Sequence, residues 1–398
     1  MEAMTKKKKI LAIGGGFASV KLALELGKDD NFDVSLIAPH DQIEYHGALY
    51  RSATGRSPLE VVLPFREVFK HTPNVNRIND FVTELRAAEK EVKGLSGNTY
   101  EYDALVLGLG YEKEYFNTKG AREHTESMYT IFDSMALRNR MRDVFIKKHG
   151  QTVNIVIVGA GPTGLELAGD VATFADIVAE QFDTQKAKPH VTVVDRAPRV
   201  LPMLSEAASK IAEDRMKELG IKFKGSYAVD HCTSRHLCLT NGPVLHSDII
   251  IWTAGSRANS FFERYPDIFT LDPKKRVVVS EYQQANNPNI YVLGDAASSK
   301  YSGMAQTAIT DAIQLADNFK HFVRGQELIP YKDHPPIVVV PIGPNWALSP
   351  KGNHILTGES GWKVRREADF YVLNNFLDKT DATRHWEKGL QIARLGDV

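Results

Sequence analysis

The chain has little cysteine, no long apolar run and no charge imbalance, and each lack removes a class of function. Only Cys232 and Cys238 occur among 398 residues, spaced C-x5-C in "DHCTSRHLCLT". That spacing makes neither a disulfide framework nor a zinc ligand set, so both read as reduced strand residues and no metal site is expected. No stretch of about 18 or more apolar residues occurs, so nothing reads as membrane-spanning. Lysine plus arginine number 49 and aspartate plus glutamate 49, which leaves no basic field to attract nucleic acid. The start, "MEAMTKKKKILAIGGGFASVKLA", imitates a signal peptide. A glycine triplet breaks its apolar part, and cleavage would destroy a strand–turn–helix. The expectation is therefore a cytoplasmic protein, or one held peripherally on the cytoplasmic face of a membrane. Lys6 to Lys9 read as a solvated lead-in to the first strand, or as a contact with anionic lipid.

What is present is enough apolar material, 43% hydrophobic against 25% charged, for two or three domains. Two segments repeat one pattern: "ILAIGGGFASVKLALELG" (Ile10 to Gly27) and "IVIVGAGPTGLELAGDVA" (Ile155 to Ala172). Each reads as an apolar strand, a glycine turn and a helix. The first glycine of such a motif allows the tight turn, the second lets backbone approach a pyrophosphate, and the third lets helix pack on strand. In the second copy Gly159, Gly161 and Gly164 hold these places, and the next strand, "HVTVVDR", ends in Asp195, where a carboxylate can bind the ribose hydroxyls of NAD. Asp195 lies 31 residues beyond Gly164, against the usual ~20, so "IVAEQFDTQKAKP" is expected to lengthen the helix or the loop. Arg196 and Arg199 follow and could soften discrimination against NADPH.

The first copy departs from this pattern. Gly14 and Gly16 are in place, but Ser19 holds the third position, and "FDVSLIAPHD" ends in Ala38 rather than an acid. A ribose contact would have to come from backbone near Pro39 and His40, which suggests a nucleotide other than NAD. "YDALVLGLGYE", with Gly108 and Gly110, and "SDIIIWTAGSRAN", with Ala254 and Gly255, each run a strand into a small-residue turn. "NNPNIYVLGDAASS" ends a strand at Gly294 and Asp295. Asp295 can accept from ribityl hydroxyls or N-cap the next helix. The fold class expected is α/β, with two Rossmann-like doubly wound domains and a small C-terminal α+β domain. Residues 1–115 and 285–330 would form the first domain, 116–284 the inserted second, and 331–398 the third.

These segments, with "ALYRSATG" (Ala48 to Gly55), "RVLPMLSEAA", "IWTAG", "VLGDAA" and "AQTAITDA" (Ala305 to Ala312), resemble the two-dinucleotide-binding-domain flavoproteins. Within these they resemble type II NADH dehydrogenases and the related apoptosis-inducing-factor-like quinone reductases. The resemblance implies an enzyme with FAD in the first grip and NADH in the second, passing electrons to a quinone. It would place Gly14, Gly15, Gly16, Phe17, Ala18, Ser19, Ala38, Pro39, Gly108, Gly110, Gly294 and Asp295 around FAD. Gln306 and Thr307 would begin a helix facing the flavin ring. Gly159, Gly161, Pro162, Thr163, Gly164, Asp195, Arg196, Ala254 and Gly255 would hold NADH. Glu166 matches the family's acid near flavin and nicotinamide and is the candidate catalytic residue with Gln306; the plainer reading is a first-turn helix charge. Thr310 and Asp311 stand where the family often has a glutamine pair, and His46 to Tyr50 replace a "QPLLY"-like stretch. Asp311 and His46 are candidate proton relays.

Residues 1–150 contain no cysteine, so the redox dithiol of the disulfide reductases is missing, and sulfide:quinone chemistry lacks its cysteines. An enzyme reducing an iron–sulfur protein or another acceptor, and a redox-gated flavin/NADH-binding protein with little turnover, are the alternative readings. In the C-terminal part "PPIVVVPIGPNWAL" and "GNHILTG" read as strands, followed by "DFYVLNNFLD" and "RHWEKGLQIARL". Trp386 and Leu390 share a face near Arg384, Lys388 and Arg394. That stripe suits a membrane surface, the chain's own core, or a second copy in a homodimer.

Overall fold

Strands covered on both faces must be apolar along their whole length, and "KILAI" and "VNIVIV" each become the middle strand of a parallel sheet. A computed structural model describes residues 7–352, 354–389 and 391–393. Its first five-stranded sheet has the order Ile290–Val292, Ala104–Leu107, Lys8–Ile13, Phe32–Ala38, Asn76–Asn79, all parallel. The second has the order Glu126–Ser127, Ile249–Trp252, Thr152–Val158, Lys188–Val194, Lys222–Lys224, also parallel. The strand Ile290–Val292 joins the first sheet only after the chain has built the second. Each sheet is accompanied by a three-stranded antiparallel meander, Val82–Arg86 to Thr99–Glu101 and Val229–Cys232 to Val244–His246. The two connections between the sheets pair with each other, Tyr111–Lys113 antiparallel to Ser256–Ala258.

The long spacing before Asp195 is resolved mainly as helix. Pro162–Gln181 runs 20 residues with proline at its start, where the missing N–H costs nothing. Asp183 then takes φ +49° as the chain turns, and the next strand begins at Lys188. Cys232 is buried and Cys238 half-buried on adjacent strands, and burial pushes the Cys232 thiol up to about 11. Lys8 and Lys9 belong to the first strand rather than to a lead-in; Lys9 pairs with Glu101 at 2.8 Å. Lys6 lies outside the described residues.

The C-terminal part forms an antiparallel sheet, Val340–Pro341, Ala347–Lys351 and His354–Leu356, followed by helices Gly358–Asn374 and Lys379–Lys388. Of the readings the sequence leaves open for the Trp386 stripe, packing on the chain's own core is the one seen at Trp386. The Trp386 indole donates to the Arg366 carbonyl at 3.0 Å and meets Phe370 edge-on at 5.8 Å. Arg384 pairs with Glu67 and Asp381 of the same chain. Leu390 and Arg394 lie outside the described residues. Among the described residues no helix is long and apolar enough to cross a membrane.

Candidate functional site

Both glycine turns are built, by slightly different means. Gly14 and Gly159 take φ +115° and +114°, in the left-handed region that disfavours a side chain. At the third position of the second turn, a Cβ on Gly164 would lie 2.0 Å from the Gly159 carbonyl oxygen, so only glycine lets helix meet strand. In the first turn Ser19 does this work, its hydroxyl donating to the Ile13 carbonyl at 2.8 Å. The required glycine has moved across the sheet, because a Cβ on Gly108 would come within 2.2 Å of Ser19 Oγ.

The middle glycines have open space in front of them. No atom lies within 4 Å of a Cβ built on Gly16, and only Met203 Cε, at 4.0 Å, meets one built on Gly161. The helices Phe17–Leu26 and Pro162–Gln181 begin there without a side-chain cap and without an acid in the first turn. Unpaired N–H groups and the positive end of the helix dipole thus face that space, as a pyrophosphate requires. A third helix, Ala305–Val323, likewise starts without a side-chain cap or first-turn acid. Thr307 Oγ1 is buried there without a partner among the described residues, and Gln306 Oε1 accepts the Ile337 N–H at 2.9 Å. These features fit two dinucleotides, the first with its ring system toward the Ala305–Val323 helix.

Some residues singled out from the sequence do other work than expected. Asp195 accepts the Ala160 N–H at 2.7 Å and the Ala197 N–H at 2.8 Å, so it braces its own glycine turn. Arg199 is spent on carbonyls of Pro202 and Leu204, at 3.0 and 2.9 Å, and on Ser209. Arg196 is exposed, 5.7 Å from the Phe116 ring that flanks Gly255. Asp295 does not N-cap the following helix, whose cap is Met304; its Oδ1 accepts the Gly303 N–H at 3.1 Å. Burial raises the Asp295 carboxyl above its ordinary range. Asp311 holds the Gly294 N–H and the Tyr331 hydroxyl, which does not suit an open proton relay. His46 is exposed and lies beside the rings of Tyr111 and Tyr129, at 5.8 and 5.7 Å.

Glu166 is not a first-turn charge: it is the fifth residue of its helix and only 6% exposed. Its Oε1 accepts from Arg365 Nη1 at 3.0 Å, and Oε2 has no hydrogen-bond partner among the described residues. Arg365 also donates to the Gly47 carbonyl and, at 2.9 Å, to Asp369. Arg51 joins Asp369 at 2.6 Å and Glu60 at 2.7 Å, and Arg366 meets Glu60 at 2.5 Å. The Tyr45 hydroxyl bonds Asp369 at 3.1 Å. Three carboxylates and three guanidinium groups thus form one buried, balanced chain. Burial opposes ionisation of Asp369, but Arg365 and Arg51 hold its carboxyl below the usual range. At Glu166 burial wins over Arg365 and pushes the carboxyl up to about 7.

The sequence reading did not find Arg51, Glu60, Arg365, Arg366 or Asp369. The available signals were an arginine inside the apolar run "ALYRSA" and an Arg365–Asp369 pair at helical spacing. The network joins the backbone at Gly47, the helix of the second glycine turn and the helix Gly358–Asn374.

Residues 8–313 match the family described as pyridine nucleotide-disulphide oxidoreductase. The type II NADH:quinone oxidoreductase of Staphylococcus epidermidis is 25% identical over 342 residues, covering 80% of this chain and 84% of that protein. The Mycobacterium tuberculosis protein described as a type II NADH:quinone oxidoreductase is 29% identical over 344 residues, covering 80% and 74%. In three dimensions the fold superposes on NDH2 from Plasmodium falciparum, solved in complex with NADH, with a TM-score of 0.83 and 16% identity over 96% of this chain and 97% of that one. With two glycine turns of the required geometry in one interrupted α/β fold, the chain belongs to the pyridine nucleotide-disulphide oxidoreductase family.

Proposed function

We propose that this protein is an FAD-dependent NADH:quinone oxidoreductase. The observation that carries the reading is the pair of uncapped helix N-termini, each behind a glycine with open space before it. The type II enzymes among the relatives support the same reading. FAD, when bound, supplies a two-electron carrier that takes hydride from the nicotinamide and passes electrons on.

The protein's part is placement and charge. The turns at Gly14 to Ser19 and Gly159 to Gly164 would fix the two pyrophosphates, so that donor and carrier meet without a search. The Ala305–Val323 helix would point N–H groups toward negative charge accumulating on the ring system. Reduction of a quinone to a quinol also consumes two protons. Glu166, raised to about 7 by burial and with Oε2 unengaged, can carry one of them at neutral pH. Asp195 would discriminate between donors by its charge beside the ribose.

The purified protein is expected to be yellow, to bleach on mixing with NADH under anaerobic conditions, and to regain its colour on adding a short-chain quinone. A colourless protein that takes up no FAD overturns the reading. Colour regained only with an iron–sulfur protein would make that the acceptor, and colour regained with neither would make the chain a redox-gated binding protein. NADH is expected to bleach the protein faster than NADPH. Asp195→Ala should narrow that gap while weakening both, since the carboxylate also braces the glycine turn; a gap of unchanged size would remove Asp195 from donor selection. Membrane contact and a homodimer accompany this reading, to be checked by co-sedimentation with lipid vesicles and by the mass in solution.

A further inference from the structure

Asp311 lies two turns into the helix Ala305–Val323 and is 2% exposed. Its two carboxylate oxygens are used on opposite sides. Oδ2 accepts the N–H of Gly294 at 3.1 Å, and Oδ1 accepts the hydroxyl of Tyr331 at 2.8 Å. Gly294 has φ +66°, and the next residue, Asp295, begins the turn that ends on Gly303. Tyr331 is itself anchored, its N–H donating to the Glu281 carbonyl at 2.7 Å. The Asp311 backbone is held as well, its carbonyl accepting from Gln283 Nε2 at 3.2 Å. The carboxylate is therefore a strut between the 331 segment and the left-handed turn that aims Asp295.

We propose that Asp311 is a positioning residue for the flavin nucleotide, holding the Gly294–Asp295 turn in the conformation that presents Asp295 to the ribityl hydroxyls. The proposal rests on the reading that FAD occupies the first grip. A proton on Asp311 removes the charge that strengthens both bonds and forces the Tyr331 hydroxyl to turn from donor to acceptor if its bond is to persist. The titratable groups facing Asp311 are Tyr331, Asp295 and Asp333, and burial first, with Asp295 and Asp333 adding to it, pushes its carboxyl up to about 6. The strut is thus expected to loosen as pH falls through about 6.

The test is the dissociation constant for FAD, measured by titrating apoprotein and following flavin fluorescence at pH 8 and pH 5.5. Wild type, Asp311→Asn, Asp311→Glu and Tyr331→Phe are compared, with circular dichroism confirming that each is folded. Wild-type binding should weaken at the lower pH. Asp311→Asn should bind FAD at least about tenfold more weakly at pH 8, as befits loss of a buried charged hydrogen bond, and should lose most of the pH effect. Tyr331→Phe should fall between the two, and Asp311→Glu should recover part of the affinity. If Asp311→Asn fails to fold, the Tyr331→Phe result decides alone. Folded variants that bind as tightly as wild type at pH 8 overturn the proposal. A wild-type chain that binds no FAD at either pH overturns the cofactor reading instead.

Discussion

Arg365→Met is expected to lower stability by about 3–5 kcal/mol, the usual cost of removing one partner from a buried ion pair. The guanidinium touches Glu166, Asp369 and the Gly47 carbonyl, and is 4% exposed, so its loss leaves Glu166 and the Gly47 carbonyl without this donor and Asp369 with Arg51 and Tyr45 alone. The energetic asymmetry decides the sign: such a pair adds little net stability over apolar packing, but half of one is costly. A double variant, Arg365→Met with Glu166→Leu, should therefore recover part of the loss, since Glu166 depends on Arg365 while Asp369 keeps Arg51 and Tyr45. Thermal and denaturant unfolding of the three proteins reads this directly. An unfolding midpoint unchanged in Arg365→Met would mean that water reaches Glu166 and Asp369, contrary to their burial.

Glu166→Gln is expected to slow turnover with quinone by about tenfold or more, a barrier change of ~1.4 kcal/mol, with FAD content unchanged. The pH dependence gives the sharper signature. The Glu166 carboxyl stands at about 7 instead of its ordinary 4.5, so wild-type kcat should fall as pH rises through about 7 and the proton on Oε2 is lost. The glutamine variant should lack that limb. Stability should move in the same direction. A carboxyl raised in the folded state contributes fully below its unfolded value and loses that contribution as pH rises through the folded one. Wild type should thus lose stability between about 4.5 and 7 from this group, and Glu166→Gln should not. Equal kcat profiles in a folded variant would leave Glu166 a structural partner of Arg365 and place proton supply elsewhere.

Arg365 and Asp369 show why part of the site was not legible in the chain. Read locally, "VRREADF" is a polar helix segment whose charges would face water. In the fold the same face meets Arg51 and Glu60, more than 300 positions earlier, and only that meeting makes burial of the charges affordable. Trp386 was left open between a lipid surface, the chain's own core and a second copy for the same reason. A tryptophan beside basic residues suits a lipid surface, but here Arg366 and Phe370 of the preceding helix cover it. Asp311, one position from Thr310 in a helix that the family resemblance places, carried no local sign that both its oxygens would be taken by Gly294 and Tyr331.

What the amino-acid order determined by itself is what short-range sterics and periodicity control. Continuous apolar strands, glycines at the two turns and helices starting with free N–H groups dictate two nucleotide grips, because these depend on neighbours within about 20 residues along the chain. The substitution of Ser19 for glycine was visible too, but its remedy was not, since Gly108 yields the space from another strand. The tertiary structure alone decided the ionisation of Glu166, the partners of Asp195 and the balanced ion chain through Asp369. Those properties depend on which distant groups exclude water around a charge and which replace it, and a linear sequence contains no measure of either.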